Sequence, residues 1–305
     1  MGTANFIIAG VNKAGSTSLF HYLNSHPEIC GSRDKETCHF LPLLYNGEPG
    51  TISDYEQQFT HCNNVKYRME STPAYIYGGE KIAHAIKGTL GDIKVLIILK
   101  DPVERLKSFY TRKKSTLQLP ANMDFTQYVE QCLSMKDEDL DKKENQIYTG
   151  IYLGLYSKYM KAWYDTFGGK NLKVVFFEHL KDSPSELLSE LCDWLQIDPT
   201  FYNSYNFDVK NRSVNYKLKH FHKAAVTMND IGQRLWRRNP RLKSELLKVY
   251  YRLNGKPIDK SEFRVGTIKE LYSYFRPYNE ALCSILKQQG VEDLPDWLST
   301  EKVPE

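Results

Sequence analysis

The stretch FIIAGVNKAGSTSLFHYLNSHP, residues 6–27, sets a lysine and several hydroxyls between closely spaced glycines. Gly10 and Gly15 have the spacing of the phosphate loop G-x-x-x-x-G-K-[ST], and Ser16 and Thr17 follow directly, but Lys13 stands two residues ahead of the second glycine. A loop between a buried strand and a helix offers free backbone N–H groups and the positive end of a helix dipole to an anion. Gly10 and Gly15 allow close backbone approach, and Ser16, Thr17 and Ser18 add hydroxyl donors. A nucleotide triphosphatase places its lysine after the second glycine, so the displaced Lys13 points to an anion-binding loop of another kind.

A second cation and hydroxyl occur in LKDPVERLKSFY, where Lys100 ends an apolar run and Ser108 lies two turns into the helix that follows. In open α/β sheets ligands bind beyond the carboxyl ends of neighbouring parallel strands. Lys100 and Ser108 there would suit a phosphate remote from the first loop, and two anion sites imply a ligand with phosphates at both ends.

Positioning these groups requires a parallel sheet. Phe6–Ala9 and Lys94–Leu99 are short, wholly or largely apolar runs suited to buried strands, and LKVVFF, residues 172–177, is a third. The helix after the first loop carries Leu19, Tyr22 and Leu23 on one face and should stop near His26-Pro27. DPVE reads as a capping box, with Asp101 as N-cap, Pro102 next and Glu104 closing it, and SPSE at Ser183–Glu186 caps another helix. Tyr152, Tyr156, Tyr159, Met160 and Trp163 form a helical aromatic stripe that Gly168-Gly169 ends; it reads as core, with Tyr156 a candidate neighbour of an adenine ring. The charged stretch Met135–Gln146 reads as a loop or solvated helix face, and TIKE at Thr267 opens a terminal helix. Alternating strand and helix patterns predict an α/β fold, a central parallel sheet flanked by helices, as one domain over residues 1–305.

Taken together, these segments resemble the PAPS-dependent sulfotransferases, in the branch that includes heparan sulfate sulfotransferases and bacterial relatives. PAPS is 3′-phosphoadenosine 5′-phosphosulfate, and PAP is its desulfated product. NKAGSTSL resembles the family's 5′-phosphosulfate loop, with Lys13 at the catalytic lysine. LKDPVERLKSFY resembles the 3′-phosphate motif, with Ser108 at its serine and Lys100 in place of its usual arginine, which keeps the charge and loses the bidentate fork. YSKYMKAWYDTFGGKNLKVVFFEHLKDSP and LYSYFRPYNEALCSIL resemble the central helix–strand unit and the C-terminal helix, the latter kept helical with a kink at Pro277.

The resemblance implies a P-loop-like fold and in-line sulfuryl transfer, with Lys13 to Ser18 on the donor, Lys13 meeting the leaving phosphate, and no metal required. KETCHF resembles the K-E-x-H-F stretch of glycan-acting relatives, whose glutamate is the base. The spacing here is one residue longer, so Glu36 is the favoured base and His39 the second candidate. MESTPAYIY resembles the acceptor-side segment E-K-T-P-A-Y, implying contact through Glu70, Ser71 and Tyr75. Ser71 replaces a lysine used on glycans, which favours a small hydroxylated or amine-bearing metabolite, as in natural product tailoring, with a polysaccharide or glycolipid as the alternative. For Glu70 a strand-end salt bridge is the competing reading, and Arg212 falls in a segment resembling the loop that closes over the nucleotide. A kinase-like reading, with Asp101 holding magnesium, fails on the displaced lysine, and a noncatalytic binding module fails on the retained Lys13 and Glu36.

Composition sets the remaining bounds. The chain has 305 residues, 41% hydrophobic and 26% charged, enough apolar matter for a substantial core. A net charge of +4 gives no ground for a nucleic-acid or anionic-membrane partner, and no apolar run is long enough to span a bilayer. Cysteines 30, 38, 62, 132, 192 and 283 form no CxxC pair or zinc spacing and are expected to be reduced, mostly buried thiols in a reducing compartment. If the sequence is full length, a cytoplasmic protein is expected. The cluster Arg234, Arg237, Arg238, Arg241 and Lys243 reads as a solvated face.

Overall fold

The computed structural model describes residues 2–120, 122–140, 142–207 and 262–298, together with 215–216, 246, 249–250 and 253–256. Its centre is a parallel sheet of β1 (Phe6–Gly10), β2 (Ile29–Gly31), β3 (Tyr67–Ser71), β4 (Lys94–Leu99) and β5 (Leu172–Phe176), in the order β2-β3-β1-β4-β5. Every residue of β1 is buried, as are those of β4 after Lys94, because helices cover both faces of the sheet. That is why these two strands read as continuous apolar runs. Strands β2 and β3 escape the same test: one is only ICG, and the other, YRMES, buries Glu70 and Ser71 in place of apolar side chains. A short antiparallel pair, β6 (Asn215–Tyr216) and β7 (Gly255–Lys256), stands apart from the main sheet.

Among the described residues, the helices with complete ranges are α1 (Ser16–Leu23), α2 (Ile52–Gln57), α3 (Gly79–Leu90), α4 (Pro102–Ser115), α5 (Phe125–Leu133), α6 (Asp137–Leu140), α7 (Ser157–Asn171), α8 (Phe177–Asp182), α9 (Pro184–Leu195) and α10 (Val265–Gln288). Asp101 caps α4, its carboxylate accepting from the N–H groups of Val103 and Glu104; Glu104 pairs with Lys107 and leaves the box half closed. Ser183 sits at the cap of α9 without a side-chain bond. The aromatic stripe is core as expected from Tyr156 onward, while Tyr152 belongs to a separate 3-10 turn. Gly168 leaves the helical region at φ 67, near the predicted end of α7. Helix α10 begins two residues before Thr267, whose buried hydroxyl bonds to Thr126 on α5 and so does not cap the helix; α10 runs through Pro277.

The cysteines differ from expectation. Cys30 and Cys62 form a disulfide across a sequence separation of 32, while Cys38, Cys132, Cys192 and Cys283 are free. The bridge joins β2 to the chain just beyond α2, a proximity made by tertiary folding that linear spacing does not reveal. It removes the ground the cysteines offered for a reducing compartment. Among the described residues no helix is long and apolar enough to cross a membrane. Arg212 and the basic cluster from Arg234 to Lys243 lie outside the described residues.

Candidate active site

The strands run parallel, so the segments after β1, β2, β3, β4 and β5 all leave the sheet at its carboxyl edge. The loop from Val11 to Gly15 is pinned where it leaves β1. Val11 N–H donates to the Ile98 carbonyl at 2.8 Å, and Asn12 Oδ1 accepts from Tyr77 Oη at 3.0 Å and from Arg105 Nη1 at 3.3 Å. Lys13 adopts φ 67, a left-handed conformation that a non-glycine residue holds only under constraint from its surroundings. Gly15 opens α1 at φ 87, and a Cβ there would meet the Phe177 ring at 2.9 Å, so both backbone and space demand glycine.

Cations crowd around this loop. Burial pushes the Lys13 ammonium down to about 8, and the neighbouring charges of Arg112, Lys100 and Arg105 push the same way. Lys100 follows β4 and rests its ammonium over the Phe177 ring at 4.4 Å, so Phe177 lies against both the Gly15 turn and Lys100. Burial lowers Lys100 as well, against the raising effect of Glu104, Glu178 and Asp101. Ser108 is half-buried on α4. Arg105, Ser108 and Arg112 fall at i, i+3 and i+7, on one face of that helix. Arg105 is fully buried, donates to the Gly150 carbonyl, and keeps a buried Nε without a partner. Tyr156 is buried and donates to the Lys100 carbonyl at 2.8 Å, which makes it a support for Lys100.

Across the sheet, the segment after β2 carries the candidate bases. Ser71 N–H donates to the Lys35 carbonyl at 3.0 Å, Cys38 N–H to Thr72 Oγ1 at 3.2 Å, and Phe40 N–H to Tyr75 Oη at 3.3 Å. Cys38, between Glu36 and His39, takes φ 55, in the left-handed region. Glu36 is exposed and pairs with Lys35 at 3.2 Å. His39 stacks on Tyr55 with ring centroids 4.6 Å apart, and burial holds its imidazole below the ordinary value, favouring the neutral form that accepts a proton.

The sulfotransferase domain model matches residues 3–239. This chain belongs to the sulfotransferase family. Its fold agrees with the crystal structure of a sulfotransferase from Alicyclobacillus acidocaldarius, at TM-score 0.69 and 18% identity over 97% of this chain and 99% of that one. It is similar to the membrane-associated sulfotransferase kil1 of Dictyostelium discoideum, 38% identical over 35% of this chain and 22% of the relative. It is also similar to the bifunctional heparan sulfate N-deacetylase/N-sulfotransferase of Drosophila melanogaster, 22% identical over 97% of this chain and 27% of the relative. Human heparan sulfate glucosamine 3-O-sulfotransferase 3B1 is 25% identical over 62% of this chain and 45% of the relative. The alignments thus span less than half the length of each of these curated relatives.

For this sulfotransferase chain, the structure gathers Lys13, Ala14, Gly15, Ser16, Thr17, Ser18, Lys100 and Ser108 at the carboxyl ends of β1 and β4. It sets Glu36 and His39 beyond β2, next to the segment after β3. The acceptor-side candidates Glu70, Ser71 and Tyr75 are completely buried in this structure. Among the described residues Glu70 has no salt bridge; the hydroxyls of Thr37, Tyr55 and Thr72 donate to its carboxylate. Arg105, Arg112 and Phe177 were not singled out by the sequence reading. The i, i+3, i+7 register of Arg105, Ser108 and Arg112 was the available signal for the first two; Phe177 had none. The ligand atoms of Cys30, His61 and Cys62 lie within 4.8 Å of one another, but the disulfide engages both sulfurs.

Proposed function

We propose that this chain moves a sulfuryl group from PAPS to a hydroxyl or amine by in-line displacement. The observation that carries the reading is Lys13, held in a strained loop at a helix N-terminus, with Arg112, Lys100 and Arg105 as its charged neighbours. Such a cluster fits a ligand that brings several negative charges, and the unpartnered buried Nε of Arg105 agrees with it. PAPS supplies the sulfuryl group and, in PAP, the leaving phosphate. The N–H groups and hydroxyls of residues 14–18 hold the 5′-phosphate, and Lys100 with Ser108 holds the 3′-phosphate. Lys13 donates to the oxygen on which negative charge grows, and Glu36 or His39 takes the acceptor's proton. Lys13 and the α1 terminus carry the developing charge, so this scheme calls on no metal.

For the acceptor we place a glycan ahead of a small metabolite. The sequence argument against a glycan rested on Ser71, and Ser71 is buried. The relatives named for heparan sulfate support sugar hydroxyls or amines as acceptors. The test is a thermal shift with PAP and with ATP, followed by labelled PAPS offered to sulfated and unsulfated oligosaccharides, phenols and amines. Stabilisation by PAP and sulfate gain on a sugar are expected. Stabilisation by ATP with magnesium, and none by PAP, would overturn the reading.

A further inference from the structure

We infer that Glu70 is a positioning residue, whose buried carboxylate sets the Lys35–Phe40 loop through Thr37 and Tyr55 so that the loop's base meets the acceptor. This rests on the sulfuryl-transfer reading above. Glu70 lies near the end of β3 with no exposed surface. Tyr55 Oη donates to its Oε1 at 2.9 Å, while Thr37 and, at 3.2 Å, Thr72 donate to Oε2. Burial pushes its carboxyl up, and the surrounding hydroxyls pull it back.

A buried carboxylate is a poor choice for stability alone, since an apolar side chain could fill the same place without desolvating a charge. What the carboxylate adds here is direction. One arm reaches Thr37, the residue beside Glu36. The other reaches Tyr55, whose ring stacks on His39. Thr72, bonded to the same carboxylate oxygen as Thr37, also holds the N–H of Cys38, where the loop turns left-handed. Neither candidate base bonds Glu70 itself, yet the flank of each is fixed by it.

The experiment compares wild type, Glu70→Gln, Tyr55→Phe and Thr37→Val with labelled PAPS and the acceptor found in the screen. Glu70→Gln is expected to lower kcat at least tenfold, leave the PAP Kd within twofold, and move the acid limb of the kcat–pH profile. Tyr55→Phe, which keeps the ring stack, and Thr37→Val should act in the same direction by less. Hydrogen exchange at the Cys38 and Phe40 amides should quicken at least tenfold in Glu70→Gln, a readout that needs no acceptor. Unchanged kcat or exchange in folded Glu70→Gln would overturn the inference. So would a PAP affinity that falls in step with kcat, which would mean general collapse. If Glu70→Gln does not fold, the same criteria apply to Tyr55→Phe and Thr37→Val. Failure of wild type to bind PAP would instead strike the underlying reading.

Discussion

The two sides of the site are built on opposite plans. Beyond β1 and β4, cations stand in a strained loop and on one helix face, with Lys13 pressed by like charges. Beyond β2 and β3, a carboxylate is sunk among hydroxyls and aromatic rings, and the exposed charge of Glu36 is balanced by Lys35. On the first side the cations face one another, whereas on the second the carboxylates of Glu36 and Glu70 have partners of their own. On the proposed reading the first side takes the anionic donor by charge, and the second selects the acceptor by fit.

The sharpest way to test that contrast is on the second side. Glu36→Gln and His39→Gln made separately should differ, with the true base losing roughly 100- to 10,000-fold in kcat and PAP affinity kept in both. Next comes Lys13→Ala, expected to cost roughly 100- to 1,000-fold in sulfate transfer, as loss of a group that meets developing charge does elsewhere. An unchanged rate would erase the distinction between the sides.

A pH series probes the same lysine. The free protein holds the Lys13 proton below about 8 and loses it above, because burial and neighbouring cations disfavour the ammonium. The expected result is therefore a kcat/KM that falls as pH rises through that value, approaching about tenfold per unit beyond it. Bound phosphate restores the ammonium, so kcat itself should hold to higher pH. The smallest effect is Lys100→Arg, which should tighten PAP by roughly fivefold, the worth of one more hydrogen bond of about 1 kcal/mol. Calorimetry with PAP measures it.

The same contrast explains what was legible in the sequence. Gly10, Lys13 and Gly15 lie in one loop, and Lys100, Asp101 and Ser108 lie at one strand–helix junction, so short motifs carried their geometry. Strands β1, β4 and β5 announced themselves because both faces of the sheet are covered. On the other side, the bond from Thr37 to Glu70 spans 33 residues and that from Tyr55 to Glu70 spans 15, and no periodicity encodes such pairings. The Glu70 and Ser71 segment could be matched to a motif, but its inward orientation depends on β3 lying between β2 and β1. Arg105 was visible as a residue yet hidden as a function, because its burial depends on how α4 packs over the Asn12 loop.

The disulfide turns one half of the site into a covalent ring. Lys35, Glu36, Thr37, Cys38, His39 and Tyr55 all lie between Cys30 and Cys62, and every donor-side residue lies outside them. Closing a ring of 32 residues removes chain entropy worth roughly 3–4 kcal/mol from the unfolded state. Reduction gives that entropy back to the unfolded chain, so the fold is expected to lose stability of that order, although no hydrogen bond of the Val11–Gly15 loop is broken by it.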